Sequence, residues 1–260
     1  MPQQLKIYAL IPAGGSGSRY SETENKLLAP IAGKTVFSRT IAALMQYTGI
    51  AGFVIVHPPG VKGPYQQEIE HLVLSQKAQD LVNAGAVPEF IYTDGGKSRC
   101  ASVYNGLSAL PTDCDLVVIH DAARPFIDLE TIVEVIKAAQ KSESGAIAAI
   151  KVVNTLKKQH ADTPSRAKTI EKTIARDKLW QAQTPQVFWK KTLEKAYKII
   201  SAVYTAPWHT VTDDAQLIEL ASLPPVSLVE GKAGNIKITT PEDTHLANSY
   251  IRVISENGVT

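Results

Sequence analysis

Short apolar runs alternate along this chain with longer stretches of helical periodicity, and that alternation narrows the possible folds more than any other feature. Runs at 7–11, 52–57, 89–92, 116–120 and 145–150 are rich in Ile, Val and Ala and too short for helices, so they read as strands. Between them, 36–47, 65–81, 98–109 and 129–139 read as helices. Strands that are apolar on both faces need cover on both, and parallel neighbours need crossovers of about this length. The predicted fold is therefore α/β, a mostly parallel sheet between two helical layers.

The pattern breaks after residue 150. Residues 151–177 are basic and polar, with short β-branched stretches around a turn-rich centre, which predicts a hairpin arm projecting from the sheet. A two-stranded ribbon is marginal alone, so a second subunit is its expected support. Beyond it the spacing predicts helices over 191–203 and 213–221, strands over 226–229 and 236–239, and a last helix from Pro241. The whole of 1–260 reads as a single domain carrying one arm.

Several function classes are excluded by composition. With 27 basic against 25 acidic residues and no long run of one sign, the chain has no electrostatic footprint for a nucleic-acid polymer, so an anionic ligand must be small and held locally. Cys100 and Cys114 stand apart with no Cys-x-x-Cys or Cys/His grouping, which argues against structural zinc and a disulfide framework. No apolar run reaches the ~18 residues of a membrane span and the start has no signal-peptide pattern, so a cytoplasmic protein with no membrane partner is expected.

The first predicted strand runs into PAGGSGSRYSETENK at 12–26. Gly14, Gly15 and Gly17 free the backbone to expose consecutive N–H groups, and Arg19 and Lys26 supply mobile positive charge, a combination suited to a polyphosphate at a strand's carboxyl end. It is not a dinucleotide fingerprint, because Gly15-Ser16-Gly17 is followed by Ser18-Arg19-Tyr20 with no third glycine. Nor is Gly33-Lys34-Thr35 the end of a Walker loop, since Leu28 stands where that loop needs a glycine.

Five further clusters follow: DGGKSR (94–99), HDAARP (120–125), QAQTPQVF (181–188), TDDA (212–215) and EGKAGNIKITTPED (230–243). In this order, with the glycine-rich loop, they resemble the 2-C-methyl-D-erythritol 4-phosphate cytidylyltransferases of the non-mevalonate isoprenoid pathway. The resemblance implies a Rossmann-like nucleotide-diphospho-sugar transferase fold, a homodimer joined through β-arms, CTP, a polyol phosphate and magnesium. It assigns nucleotide binding to Pro12, Ala13, Gly14, Gly15, Gly95, Gly96, Lys97 and Ser102, and catalysis to Arg19, Lys26, Arg176 and Lys237. Asp121, Arg124, Thr155, Arg176, Thr184, Thr212 and Lys237 would bind the polyol phosphate, with Thr155 and Arg176 reaching across from the partner's arm. The metal would ride on the phosphates with no protein ligand.

Related ribitol 5-phosphate cytidylyltransferases would share the glycine-rich loop, and a nucleotide-binding dehydrogenase is the rival from another class on fold alone. The chain also departs from the usual family pattern. Gly14 replaces an alanine, Leu27 a glutamine and Lys97 a frequent acidic residue beside the base, while Asn154 and Ala175 each replace an aspartate on the arm. Taken singly, several of these residues have plainer roles: Asp121 as a turn cap, His120 as a hydrogen-bonded strand residue, Lys237 as an edge-strand charge, and Thr212 as a helix N-cap.

Overall fold

The computed structural model describes residues 5–14, 25–75, 88–160, 168–203 and 211–256. Strands β1 (Ile7–Pro12), β4 (Ile50–His57), β5 (Glu89–Asp94), β6 (Leu116–Ile119), β7 (Gly145–Lys151), β10 (Trp180–Trp189) and β11 (Ser227–Glu230) form a seven-stranded sheet in the order β11-β7-β10-β6-β1-β4-β5. All neighbours are parallel except β10, which runs antiparallel to both β6 and β7. Two small ribbons stand apart from it, β2 (Pro30–Ile31) with β3 (Lys34–Thr35) and β8 (Leu156–Gln159) with β9 (Ile170–Ile174).

Strand alternation sorts side chains into two cores. From β1, Ile7, Ala9 and Ile11 face the layer built by α1 (Val36–Met45), α2 (Lys62–Leu74), α4 (Leu129–Lys141) and α7 (Pro241–Glu256). Tyr8 and Leu10 face the opposite layer of α3 (Arg99–Ala109), α5 (Lys190–Val203) and α6 (Asp214–Leu220). Helix starts are set by short polar side chains. Thr35, Ser98, Asp128 and Asp213 each accept a backbone N–H from the first turn, and α4 adds Glu130 at its start and Lys141 at its end in keeping with the helix dipole.

Four details differ from the sequence reading. Residues 236–239 form no strand: the backbone is tied to its neighbour by a bond from Ile238 N to the Ala123 carbonyl at 2.8 Å, and β-branched alternation there reflects burial of Ile238 rather than sheet pairing. Strand β10 has no counterpart among the predicted strands. The second predicted helix, 65–81, is observed as Lys62–Leu74, and 76–87 lie outside the described residues. The cap of α6 is Asp213 rather than Thr212, whose N–H and hydroxyl both donate to Gln216 Oε1 instead.

The arm departs at the end of β7 and returns at the start of β10, with Val152 N bonded to the Leu179 carbonyl at 3.1 Å across its neck. Among the described residues β8 and β9 pair only with each other, and nearly all of their side chains are exposed.

Candidate active site

The carboxyl ends of β1, β4, β5 and β6 open into a cleft of about 700 Å³. Past the strands' ends the ladder continues through Ala13 N to the Val56 carbonyl (2.8 Å), Gly95 N to the His57 carbonyl (2.7 Å) and His120 N to the Leu10 carbonyl (3.1 Å). Three loops are thereby held side by side. Space at the second loop is tight: a Cβ on Gly95 would meet the His57 carbonyl and Ser102 Oγ at 3.1 Å, and one on Gly96 would lie 2.5 Å from the Ala101 Cβ of the following helix. Ser102, buried in the first turns of α3, receives the Gly96 N–H on its hydroxyl at 3.0 Å and donates to the Ser98 carbonyl at 2.9 Å.

Both flanks of the glycine-rich loop are pinned by Tyr65, a fully buried residue of α2. Its hydroxyl donates to the Ala13 carbonyl at 3.2 Å and accepts from Asn25 Nδ2 at 2.8 Å. Just after that anchor, Lys26 turns into the cleft, where Nζ donates to the Ile238 carbonyl at 3.2 Å. Lys237, next in sequence to that Ile238 carbonyl, also lines the cleft and meets Asp121 Oδ2 at 2.9 Å.

Asp121 is the one carboxylate among the described residues lining the cleft, and it is surrounded by cations. Its Oδ1 faces Arg99 Nε at 3.4 Å, while Oδ2 faces Arg124 Nε at 3.4 Å as well as Lys237. Burial pushes this carboxyl upward, but Arg99, Lys237 and Arg124 together outweigh it and hold it well below the usual carboxylate range. Arg99 extends the network to Asp214 Oδ2 at 2.7 Å. Burial disfavours the guanidinium charge, and Asp214 and Asp121 more than offset that cost, so Arg99 stays charged.

Behind the cleft wall lies a buried imidazole whose partners suit its neutral form. His120 is fully buried, its Nε2 faces the Arg124 carbonyl at 3.1 Å and must carry the proton, and Nδ1 accepts from the Thr184 hydroxyl at 3.0 Å. The Thr184 oxygen in turn accepts the Asp121 N–H at 3.0 Å. Burial lowers the His120 pKa to about 4, so a group sealed in this way is a poor proton acceptor for chemistry in the cleft.

Of the residues picked out from the sequence, the structure gathers Pro12, Ala13, Gly14, Lys26, Gly96, Lys97, Ser102, Asp121 and Lys237 around one cavity, with Gly95 buried next to Gly14 and Ser102. Arg124 and Thr184 stand one layer back: Arg124 donates to the Asn235 carbonyl at 2.7 Å, and Thr184 is buried against His120 and Asp121. Thr212 is exposed beside α6, away from the cavity lining, and Thr155 and Arg176 sit on the exposed arm, where Arg176 Nη1 donates to the Val153 carbonyl. Gly15 and Arg19 lie outside the described residues.

Two groups of residues escaped sequence reasoning. Tyr65 and Arg99 carry no local signal, because their roles depend on partners 22 to 115 positions away. In QTPQ, the cluster around β10, Gln186 accepts the N–H groups of Asp214 (3.0 Å) and Ala215 (3.2 Å) and donates to Asp213 Oδ2 (2.9 Å). Gln183 donates to the Lys232 carbonyl at 3.0 Å, and Asn235 Nδ2 to the Thr184 carbonyl at 2.8 Å. These bonds explain physically why the QTPQ, TDDA and AGNIK clusters occur in one chain: the first clamps the other two to the sheet.

Comparison with known proteins agrees with this geometry. The family model for 2-C-methyl-D-erythritol 4-phosphate cytidylyltransferase matches residues 7–253. Proteins of that name from Syntrophus aciditrophicus and Desulforamulus reducens are 35% and 37% identical, each over 95% of this chain and 96% of their own length. Among solved structures, 4-diphosphocytidyl-2C-methyl-D-erythritol synthase from Anaerococcus prevotii superposes with a TM-score of 0.74 at 29% identity, covering 96% of this chain and 100% of that one. The Thermus thermophilus cytidylyltransferase gives 0.70 at 28% identity, covering 95% of this chain and 100% of that one. A cleft built on these residues, a family match over nearly the whole length and the shared fold lead to one assignment: the chain belongs to the 2-C-methyl-D-erythritol 4-phosphate cytidylyltransferase family.

Proposed function

We propose that this protein transfers CMP from CTP to 2-C-methyl-D-erythritol 4-phosphate, releasing pyrophosphate and forming 4-diphosphocytidyl-2-C-methyl-D-erythritol. The observation that carries the reading is the convergence of Lys26 and Lys237 on one cleft at the strands' carboxyl ends, with no free general base among the described residues that line it. A phosphate monoester with a second pKa near 6 already carries its nucleophilic charge at neutral pH. It must only be brought in line with the α-phosphorus, while cations neutralise the charge that accumulates on the phosphoryl oxygens. In this reading the backbone of Ala13, Gly14, Gly95 and Gly96 selects the base, and Lys26, together with Arg19 from the same stretch of sequence, grips the triphosphate. Lys237 and Asp121 orient the incoming polyol phosphate.

Magnesium fits this donor set as a passenger of the nucleotide. Asp121 is already shared by three cations, and no grouping of three or more His, Cys, Asp or Glu among the described residues would hold a metal. A hard cation that favours phosphate oxygens and water needs no such cage, and it would supply additional neutralisation of the triphosphate.

The working form in this reading is a cytoplasmic homodimer whose arms complete one another's sites with Thr155 and Arg176. Three arm side chains support it: Val153, Leu156 and Ile170 are 75%, 36% and 63% exposed, apolar surface that a partner would cover. No helix among the described residues is long and apolar enough to cross a membrane.

Pyrophosphate release measured with each of four nucleoside triphosphates against 2-C-methyl-D-erythritol 4-phosphate and ribitol 5-phosphate tests the assignment. Release should require CTP and the methylerythritol substrate. Turnover with ribitol 5-phosphate alone would reassign the acceptor, and no release from any pair would sink the activity.

A further inference from the structure

Arg99 occupies the first position of α3, directly after the Ser98 cap, and lines the cleft with about a quarter of its side chain exposed. It joins two carboxylates that belong to different elements. Nη2 is 2.7 Å from Oδ2 of Asp214, a residue 2% exposed at the start of α6, and Nε is 3.4 Å from Oδ1 of Asp121. The two oxygens of Asp121 thereby face separate sets of cations, Oδ1 to Arg99 and Oδ2 to Arg124 and Lys237.

The terminal torsion of an aspartate is broad, so a carboxylate held through one oxygen can swing about that contact. An arginine bridging it to a buried carboxylate on another element removes that freedom. The planar guanidinium does this with two donors in fixed geometry, whereas an ammonium is a compact point charge. Resting on the reading of the cleft as a CMP-transfer site, we propose that Arg99 is a positioning residue for that reaction. It anchors Asp121 to Asp214, so that the second oxygen of Asp121 presents Lys237 to the reacting phosphates. The alternative role is neutralisation of Asp214 alone, with no consequence for Lys237.

A double-mutant cycle distinguishes the two roles. Arg99→Lys keeps a positive charge near Asp214 but loses the fork, and kcat should fall at least tenfold with the KM for CTP changed less than threefold. In a Lys237→Ala background the same substitution should cost less than twofold, because Arg99 acts through the missing amine. Arg99→Met with Asp214→Leu, which removes both charges of the pair, guards against loss of folding. That variant should melt within a few degrees of wild type and still turn over at least tenfold more slowly. Equal losses with and without Lys237, an Arg99→Lys enzyme with wild-type kinetics, or a double variant that regains full turnover along with its melting temperature would each overturn the proposal. An inactive wild-type protein would overturn the activity itself and this role with it, whereas an active wild type with any of those three outcomes overturns this role alone.

Discussion

Replacing Lys237 by alanine separates a kinetic role from a structural one by magnitude. The side chain is 36% exposed, lies outside regular secondary structure and makes its ion pair with Asp121 at 2.9 Å. A partly solvated pair of this kind is worth at most about 1 kcal/mol to folding. After the substitution, Asp121 retains Arg99 and Arg124, each at 3.4 Å, so no buried charge is stranded. For a chain of this size the loss corresponds to a fall in Tm of about 4 °C or less. If Lys237 neutralises the phosphoryl oxygens in the transition state, its removal should cost about 3–4 kcal/mol of barrier, or roughly 100- to 1000-fold in kcat. Pyrophosphate release at saturating CTP and acceptor, beside a melting curve on the same preparation, gives both numbers. A variant that melts more than 10 °C lower while its folded fraction turns over normally would refute the reasoning, as would one within threefold of wild type in both.

If the charge of Lys26 is aimed at the transition state, Lys26→Ala should lower kcat by about the same 100- to 1000-fold while loosening CTP far less; near-normal turnover would remove Lys26 from the machinery. Gln186→Leu should do the reverse: by stranding the first N–H groups of α6 it should cost about 2–3 kcal/mol of stability, read as a urea midpoint, with KM for CTP nearly unchanged. His120, whose pKa burial lowers to about 4 from the ordinary 6.5, takes up a proton more readily unfolded than folded, so it contributes stability above about pH 6.5 that is lost as pH falls towards 4. Between pH 7 and 4.5 its share is about 2 kcal/mol, and His120→Gln should lose about that much less over the same range; identical pH dependence of the two proteins would contradict the buried neutral imidazole. If the protein is a two-fold dimer whose arms complete one another's sites, Lys26→Ala and Arg176→Ala should each be nearly inactive yet recover about a quarter of wild-type activity when mixed and allowed to exchange subunits, because half of the dimers would be mixed and each would have one intact site. Proven exchange without recovery would exclude a site shared between subunits.

The parallel sheet was legible in the sequence because its strands are apolar on both faces, and so was the cleft's position, because the glycine-rich loop, the GG turn and HDAARP each follow such a strand. Strand β10 was not, since a proline and three glutamines interrupt its apolar character. Two of those glutamines are buried because they satisfy backbone groups elsewhere, information that no local pattern contains. Residues 236–239 misled in the opposite way: their β-branched spacing is that of a strand, but a loop that buries Ile238 and points Lys237 into a cleft needs the same alternation. Arg99 was visible within DGGKSR yet had no distinguishing mark, because what defines it is the meeting of Asp121 and Asp214 from distant elements.

The antiparallel course of β10 has a topological consequence for the arm. Because β7 and β10 pair directly, Lys151 opposite Trp180, everything from 152 to 179 is the loop of one long hairpin, inserted at the rim that also carries the cleft. Its length can change without shifting the register of any core strand and without threading the chain elsewhere. Lineages could therefore lengthen, shorten or reshape this excursion as a separable module, and a truncated variant closed by a tight turn between β7 and β10 should retain the seven-stranded core while losing whatever the excursion grasps.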